Sequence, residues 1–505
     1  MENEFKYGQD HLTVNLALRI VRGQINGVLT EEAKIKIEKS YNVVQDIAKG
    51  EVLVYSINTG FGSLCTTRIS KEEVGKLQSN LLKSHSVGIG SPISKEIAKL
   101  MLILKVHALS MGYSGISLNL IERILWHINN DIIPLVPEQG SVGASGDLAP
   151  LAHLFLPLIG LGFLSKDGTN YKPAIEVLNQ NGLKPLELHA KEGLALINGT
   201  QFITAHGVIV AERFFSCLEQ ADLIGAMTLE GYLGSPQPFN ERLIALRPHD
   251  GAKTVAKRFR KFLKNSQFVE SHVNCGRVQD PYSIRCIPQV HGASRDAFSH
   301  LSERLECELN SVTDNPIVFD KDTAISGGNF HGQPLALPLD YISLAASELG
   351  NISDRRTYLL LEGKWGLPPY LIQESGLNSG FMITQYCSAA LASENKTMCF
   401  PASADSIPTS MGQEDHVSMG AFSGRKALRI IYNLEKILAI ELLCAAQAFD
   451  FRRPLRSSAT LEACHAYIRQ KIPHINEDVV LSEYIEIALE IIKSEELIKI
   501  TNEVK

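Results

Sequence analysis

Leu428-Arg-Ile-Ile-Tyr-Asn-Leu-Glu-Lys-Ile-Leu-Ala-Ile-Glu-Leu-Leu-Cys-Ala445 reads as part of one long helix. Leu428, Ile431, Leu434, Leu438, Leu442 and Ala445 recur every three or four residues, which places them on a single helical face. The run stops before Pro454. Three further stretches share this pacing. Phe298, Leu301, Leu305, Leu309 and Val312 mark a helix that starts after Pro288 and ends before Asn315-Pro316. Another runs from about Leu339, after Pro338, to about Gly363, and a fourth from Arg213 to Leu233. Helices of this length with few strand signals between them predict an all-α, mainly helical bundle. Their remaining apolar faces suggest packing against other subunits. The first half is shorter-paced and richer in Gly and Pro, as expected where loops build a site. A soft boundary falls near residue 205, giving an N-terminal lobe over 1–205 and a long-helix bundle with a C-terminal helical region over 206–505. An inactive structural bundle fits the periodicity equally well.

Composition narrows the classes. A chain of 505 residues can bury a large core in two or more lobes. A net charge of −6 and the lack of any basic cluster with interleaved aromatics argue against nucleic acid or an anionic membrane surface. The nine cysteines are scattered, with no Cys-x-x-Cys pair, so neither a disulfide framework nor a zinc knuckle is expected. With no His-Glu-x-x-His either, no metal is expected. The polar Met1-Glu-Asn-Glu-Phe-Lys6 start does not resemble a signal peptide, and a reducing cytoplasm is the expected location. Leu148 to Leu164 is the most apolar stretch, but Pro150, His153, Pro157 and two glycines interrupt it. It reads as a buried helix pair rather than a membrane span.

Just before it lies Gly140-Ser-Val-Gly-Ala-Ser-Gly-Asp-Leu-Ala-Pro150. A phosphate cradle is a poor reading, because no Gly-Lys-Ser/Thr follows and Asp147 would repel a phosphate. An Ala-Ser-Gly tripeptide in a sharp bend has another option. The Gly146 amide nitrogen can attack the Ala144 carbonyl carbon, and loss of water closes a five-membered imidazolone ring. Loss of a second water from Ser145 leaves an exocyclic methylene. Gly146 suits the attack because it has no side chain and tolerates unusual backbone angles. The bland alternative is a flexible turn before a helix.

Further segments accompany this loop in order. They are Tyr55-Ser-Ile-Asn-Thr-Gly-Phe-Gly62, Leu77-Gln-Ser-Asn-Leu-Leu-Lys-Ser-His85 and Gly193-Leu-Ala-Leu-Ile-Asn-Gly-Thr-Gln201. Next come Arg277-Val-Gln-Asp-Pro-Tyr-Ser-Ile-Arg-Cys286, Gly327-Gly-Asn-Phe-His-Gly332 and Gln413-Glu-Asp-His-Val-Ser-Met-Gly420. The set resembles the aromatic amino acid ammonia-lyase family from about Tyr55 to about Pro454. That resemblance implies the all-helical fold shared with fumarase and aspartase, and a homotetramer whose active sites draw on several subunits. It also implies a 4-methylidene-imidazol-5-one group made from Ala144-Ser145-Gly146, with no external cofactor. The group is an electrophile that either captures the substrate amine or adds to its ring. The need is real, since the β-proton is barely acidic and the amine leaves poorly.

The same resemblance implies residue roles. Tyr55 is the catalytic tyrosine near the β-carbon, and Asn198 hydrogen-bonds the prosthetic group or the substrate amine. Arg285 holds the substrate carboxylate through two parallel hydrogen bonds. Tyr282 serves the prosthetic group or proton transfer, Gln279 makes polar contacts, and Phe330 lines the site. His85 meets the substrate ring, and Glu414 accepts an imidazole N–H or serves as a base. Imidazole has two ring nitrogens, so a histidine and a carboxylate can satisfy both. Relatives acting on phenylalanine or tyrosine usually carry Gln at the Glu414 position. Glu414 therefore points to L-histidine as substrate and trans-urocanate as product, the opening step of histidine breakdown. A tyrosine or phenylalanine ammonia-lyase, a 2,3-aminomutase and an inactive binding homologue are the alternatives. Two departures stand out: Met411-Gly412 replaces the usual Ala-Asn before the Gln-Glu-Asp-His segment, and Ser56 follows Tyr55 where Gly is usual. The first is expected to reshape the pocket floor.

Overall fold

The computed structural model describes residues 4–50, 54, 57, 59, 69, 73–273 and 276–504. Helices dominate, and the chain divides into two compact units. The first comprises Met1–Ile209, Ser302–Asp340 and Pro401–Arg425, and the second Val210–Leu301, Tyr341–Phe400 and Lys426–Lys505. Among the described residues every strand belongs to the first unit, in four small sheets. Ile89–Pro92 pairs antiparallel with Pro137–Gln139, directly ahead of the Gly140 loop. No helix is long and apolar enough to cross a membrane among the described residues.

The periodic runs are helices, with informative differences at their ends. Gly420–Asp450 contains the 428–445 stripe. Its apolar face, including Leu434, Leu438 and Leu442, is buried. Ile287–Leu309 starts one residue before Pro288, which sits in the first turn, where a missing N–H removes no helical bond. Val312 falls beyond its end. Asn310 Nδ2 donates to the Glu306 carbonyl at 2.8 Å and Ser311 Oγ to the Cys307 carbonyl at 2.7 Å, so side chains take over the last turn's acceptors. Gln333–Leu361 holds Pro338 inside it, rather than starting after it. The Pro338 ring removes one N–H and leaves the Pro334 carbonyl without its intrahelical partner. Gly363, at φ 70°, follows the end of this helix.

Gln201–Gly231 begins well before the Arg213 start read from the sequence. Residues 201–211 are all buried, so this part of the helix has no polar face and therefore no stripe. The Leu148–Leu164 stretch is not a helix pair. It forms a helix at Leu148–Phe155, a 3₁₀ turn at Leu156–Ile159 and a strand at Phe163–Ser165. Gly160, at φ 79°, breaks the helical path. Seven cysteines among the described residues are free; Cys65 and Cys275 lie outside them.

Candidate active site

The Gly140 loop is bent and clamped. Ser145 adopts φ 50°, a left-handed conformation unusual for a residue with a side chain, and Gly146 follows at φ 80°. The Gly146 N–H donates to the Gly143 carbonyl at 3.3 Å, closing a tight turn around Ala144-Ser145. Gly199 lies against this turn. Its N–H donates to the Ser145 carbonyl at 3.2 Å, and its carbonyl accepts from the Asp147 N–H at 2.7 Å. A Cβ at Gly146 would stand 2.1 Å from the Gly199 oxygen, so only glycine allows the approach. On the other side the Met419 N–H donates to the Val142 carbonyl at 3.0 Å. These features fit a ring closed from Ala144, Ser145 and Gly146: a pre-bent backbone, no side chain at the attacking nitrogen, and the Gly199 backbone hydrogen-bonded behind it.

Asp147 fixes the loop to the bundle. Its Oδ2 accepts from the Phe202 and Ile203 N–H groups at 2.9 and 3.0 Å, capping the Gln201–Gly231 helix. Burial pushes this carboxyl up to about 7, against the two N–H groups that favour its charged form. Asp147 was read only as a reason to exclude phosphate. Its side chain precedes the Leu148–Phe155 helix without capping it, and the N–H groups it does cap lie 55 and 56 residues further on, so no local signal for this role was available.

Asn198 precedes Gly199 and is 2% exposed. Its Nδ2 donates to Asp314 Oδ1 at 3.2 Å and to the Asn315 carbonyl at 3.0 Å. Its backbone carbonyl accepts from Lys105 Nζ at 2.5 Å. Burial pulls the Lys105 ammonium down to about 7. Lys191 Nζ donates to Asp314 Oδ2 and, at 3.1 Å, to the Ser114 carbonyl. Lys105, Lys191 and Asp314 were not singled out from the sequence, because their partners are far away along the chain.

Phe330 is half-buried on a loop that joins two of these features. The Gly327 N–H donates to Asn315 Oδ1 at 2.8 Å, and Asn329 Nδ2 to the Val312 carbonyl at 3.2 Å. The next residue, His331, stacks on His416 at 5.9 Å between centroids, and its Nε2 meets the His416 carbonyl at 3.2 Å. Glu414 lies two residues before His416. Its carbonyl accepts from the Thr409 N–H at 2.9 Å, closing a turn in which Ser410, Met411 and Gly412 all have positive φ. Met411 is 94% exposed. Glu414 Oε2 is buried and has no hydrogen-bond partner among the described residues. His85 ends the Val74–His85 helix, with Ser84 Oγ 3.0 Å from its Nδ1, and burial holds its imidazole below the usual range. The Ile89–Pro92 strand beyond it pairs with the strand that enters the Gly140 loop.

Ala144, Ser145, Gly146, Asn198, Phe330, Glu414 and His85 thus belong to the first unit. Gln279, Tyr282 and Arg285 belong to the second. There the short helix Tyr282–Arg285 follows Asp280, which accepts from the Ser235 N–H at 2.6 Å and Arg277 Nη1 at 2.5 Å. The Arg285 guanidinium lies 4.4 Å from the Tyr282 ring centroid, and its Nε is buried without a partner among the described residues. Tyr282 is 70% exposed, and Gln279 is exposed too. Tyr55 lies outside the described residues.

The first unit of this mainly helical chain thus carries a clamped Ala144-Ser145-Gly146 turn, together with the Asn198 carboxamide oxygen and a Glu414 carboxylate oxygen that have no partner among the described residues. Residues 12–470 match the model of the aromatic amino acid lyase family, and the chain belongs to that family. A histidine ammonia-lyase of Myxococcus xanthus is 46% identical over 491 residues, covering 97% of this chain and 96% of that protein. The crystal structure of a histidine ammonia-lyase from Trypanosoma cruzi superposes with a TM-score of 0.91 at 40% identity, covering 99% of this chain and 95% of that one. A tyrosine aminomutase from Streptomyces globisporus superposes with a TM-score of 0.93 at 33% identity, with 98% of each chain covered.

Proposed function

We propose that this chain is a carbon–nitrogen lyase that eliminates ammonia from L-histidine to give trans-urocanate and so begins histidine breakdown. The observation that carries the substrate assignment is Glu414, whose buried Oε2 lacks a donor among the described residues. An imidazole N–H supplies that donor. A phenyl ring supplies none and leaves the oxygen unsatisfied, which costs about 1–3 kcal/mol. The names and near-complete coverage of the histidine ammonia-lyases support the same assignment. The tyrosine aminomutase keeps a second reading open, a 2,3-aminomutase that re-adds ammonia, at lower sequence identity.

A 4-methylidene-imidazol-5-one formed from Ala144-Ser145-Gly146, when present, supplies the electron sink that makes a poor leaving group leave. The other residues bind, orient and move protons. Arg285 clamps the substrate carboxylate in a fork, fixing the α-carbon. Glu414 accepts from one ring nitrogen and His85 meets the other side of the imidazole, which fixes the β-carbon. Tyr55 and Tyr282 exchange the β-proton, and Asn198 holds the amino end. Phe330 lines the ring pocket, and Gln279 adds polar contacts at the carboxylate end.

We further propose a homotetramer in the cytoplasm, in which the Gln279–Arg285 segment completes a site on another subunit. The exposure of Tyr282 supports this. So does an exposed stripe on the Met382–Met398 helix, where Ile383, Tyr386, Cys387 and Ala390 recur at helical spacing.

The test is an ultraviolet assay of purified protein with L-histidine, L-tyrosine and L-phenylalanine side by side, with Ser145→Ala as control. Urocanate from histidine alone, abolished in the control, is the expected result. Cinnamate or coumarate would overturn the Glu414 assignment. No product from any of the three would favour an aminomutase or an inactive homologue.

A further inference from the structure

We propose that the buried Lys191–Asp314 pair is a positioning device that locks the Asn198 carboxamide with its oxygen turned to the substrate, so that Asn198 accepts a hydrogen bond from the substrate's α-amino group. The proposal rests on the reading of the site given above.

A primary carboxamide has two donors on nitrogen and two acceptor positions on oxygen. Both neighbours of Asn198 Nδ2, Asp314 Oδ1 and the Asn315 carbonyl, are pure acceptors, at 3.2 and 3.0 Å. A reversed amide would set oxygen against two oxygens, one of them charged, so the orientation is fixed by chemistry. Both N–H groups are then spent, and Asn198 has no donor left for any other group. What it has left is Oδ1, buried and without a partner among the described residues. Buried polar atoms are almost always paired in a native interior, so an orphan beside a reactive loop marks a place that a ligand completes.

The chemistry of the candidates selects the ligand. A methylidene-imidazolone ring closed from Ala144-Ser145-Gly146 carries a carbonyl oxygen and nitrogens without hydrogen, so it has nothing to donate. The substrate carboxylate has no donor either. The imidazole N–H is matched by Glu414. Only the α-amino group brings N–H donors that are otherwise unclaimed.

Lys191 and Asp314 hold this arrangement. Their side chains are 0% and 4% exposed, so water does not compete. Lys191 occupies Asp314 Oδ2, which leaves Oδ1 to accept from Asn198 and from the Asn315 N–H at 2.7 Å. Burial pushes the Asp314 carboxyl up, but the ammonium groups of Lys191 and Lys105 outweigh it and keep the acid below the usual range. Lys105 meanwhile pins the Asn198 backbone.

The test measures binding rather than turnover. In a Ser145→Ala background no electrophile forms and L-histidine does not react. Calorimetry then compares L-histidine with 3-(imidazol-4-yl)propanoate, which lacks the α-amino group. Asp314→Asn presents a neutral carboxamide that can face Asn198 with either end, so the lock is lost. The Kd for L-histidine is expected to rise about 10- to 100-fold, the range for loss of an orienting partner, while that for the propanoate stays within about twofold. Asp314→Asn also strands the Lys191 charge, so the double variant Lys191→Met/Asp314→Asn accompanies it. It is expected to regain melting temperature without regaining affinity for L-histidine. Equal weakening of both ligands, or affinity that recovers together with melting temperature, would show a structural pair and overturn the proposal. If the Ser145→Ala parent binds neither ligand, the substrate reading itself fails and takes the proposal with it.

Discussion

Arg356 and Lys191 are both sealed from water, yet the networks around them end differently. Around Arg356, in the second unit, the groups saturate one another. Glu441 Oε1 accepts from Thr228 Oγ1 and Arg356 Nε, and Oε2 from Ser353 Oγ and Arg356 Nη2, all between 2.6 and 2.8 Å. Arg356 Nη1 meets His291 Nε2 at 3.1 Å, and His291 Nδ1 meets Asp222 Oδ1 at 2.8 Å. His291 thus donates from Nδ1 and accepts at Nε2, as the neutral ring does, and burial favours that form. Around Lys191, in the first unit, the chain ends at Asn198 Oδ1 with an acceptor to spare. The groups around Glu441 and Arg356 are spent on one another, whereas Asn198 Oδ1 is left for the substrate amine proposed above.

The largest expected effect breaks the saturated side. Glu441→Gln leaves Arg356 as an uncompensated buried charge and should lower unfolding free energy by about 3–5 kcal/mol in chemical denaturation. The KM for L-histidine of the folded fraction should stay unchanged; a changed KM would show that the second network also serves the site. Asn198→Ala tests the other side. Loss of one aimed hydrogen-bonding group should lower kcat/KM about 10²- to 10³-fold, while denaturation shifts by only about 1–2 kcal/mol because Lys191 and Asp314 keep each other. A stability loss as large as that of Glu441→Gln would erase the contrast. Glu414→Gln keeps the shape but swaps the carboxylate for a carboxamide. The preference for L-histidine over L-phenylalanine, as a ratio of kcat/KM values, should fall about 10- to 100-fold, matching roughly 1–3 kcal/mol for exchanging a charged acceptor for a neutral one.

The smallest effect concerns His206, a buried group in the first unit. Its Nδ1 meets the Phe202 carbonyl at 2.8 Å, and burial pulls its pKa down to about 4. An unfolded histidine titrates near 6.5. The folded form resists the proton that the unfolded form accepts, so the stability contributed above about 6.5 is lost as pH falls toward 4. At pH 5 the loss is about 2 kcal/mol from this residue. His206→Gln should flatten the acid limb of a melting-temperature profile by that amount, and an unaltered limb would refute the assignment.

Much of this was legible in the sequence, for identifiable reasons. The 428–445 stripe has one apolar face and was readable as a helix. The first turns of Gln201–Gly231 were not, because burial on all sides removes the polar face that creates a period. Pro338 was read as a boundary, whereas the helix runs through it and gives up one bond. At the site, Ala144-Ser145-Gly146 could be singled out because the ring closure proposed for it is local chemistry. Asn198 could be named as a candidate, but its orientation could not, since Asp314 stands 116 residues away. Long-range pairing of this kind leaves no local mark.

The close approach of Gly199 to Gly146 imposes an order of events. The bend at Ser145 is held by hydrogen bonds to Gly199, which itself precedes the Gln201–Gly231 helix. An unfolded chain has no such mould, so its Gly146 nitrogen has no reason to meet the Ala144 carbonyl. For the proposed ring closure, folding therefore comes first and dehydration second. A sample refolded from denaturant before it has matured should regain its helical signal while its intact mass is still that of the unmodified chain, and only later become lighter by two waters.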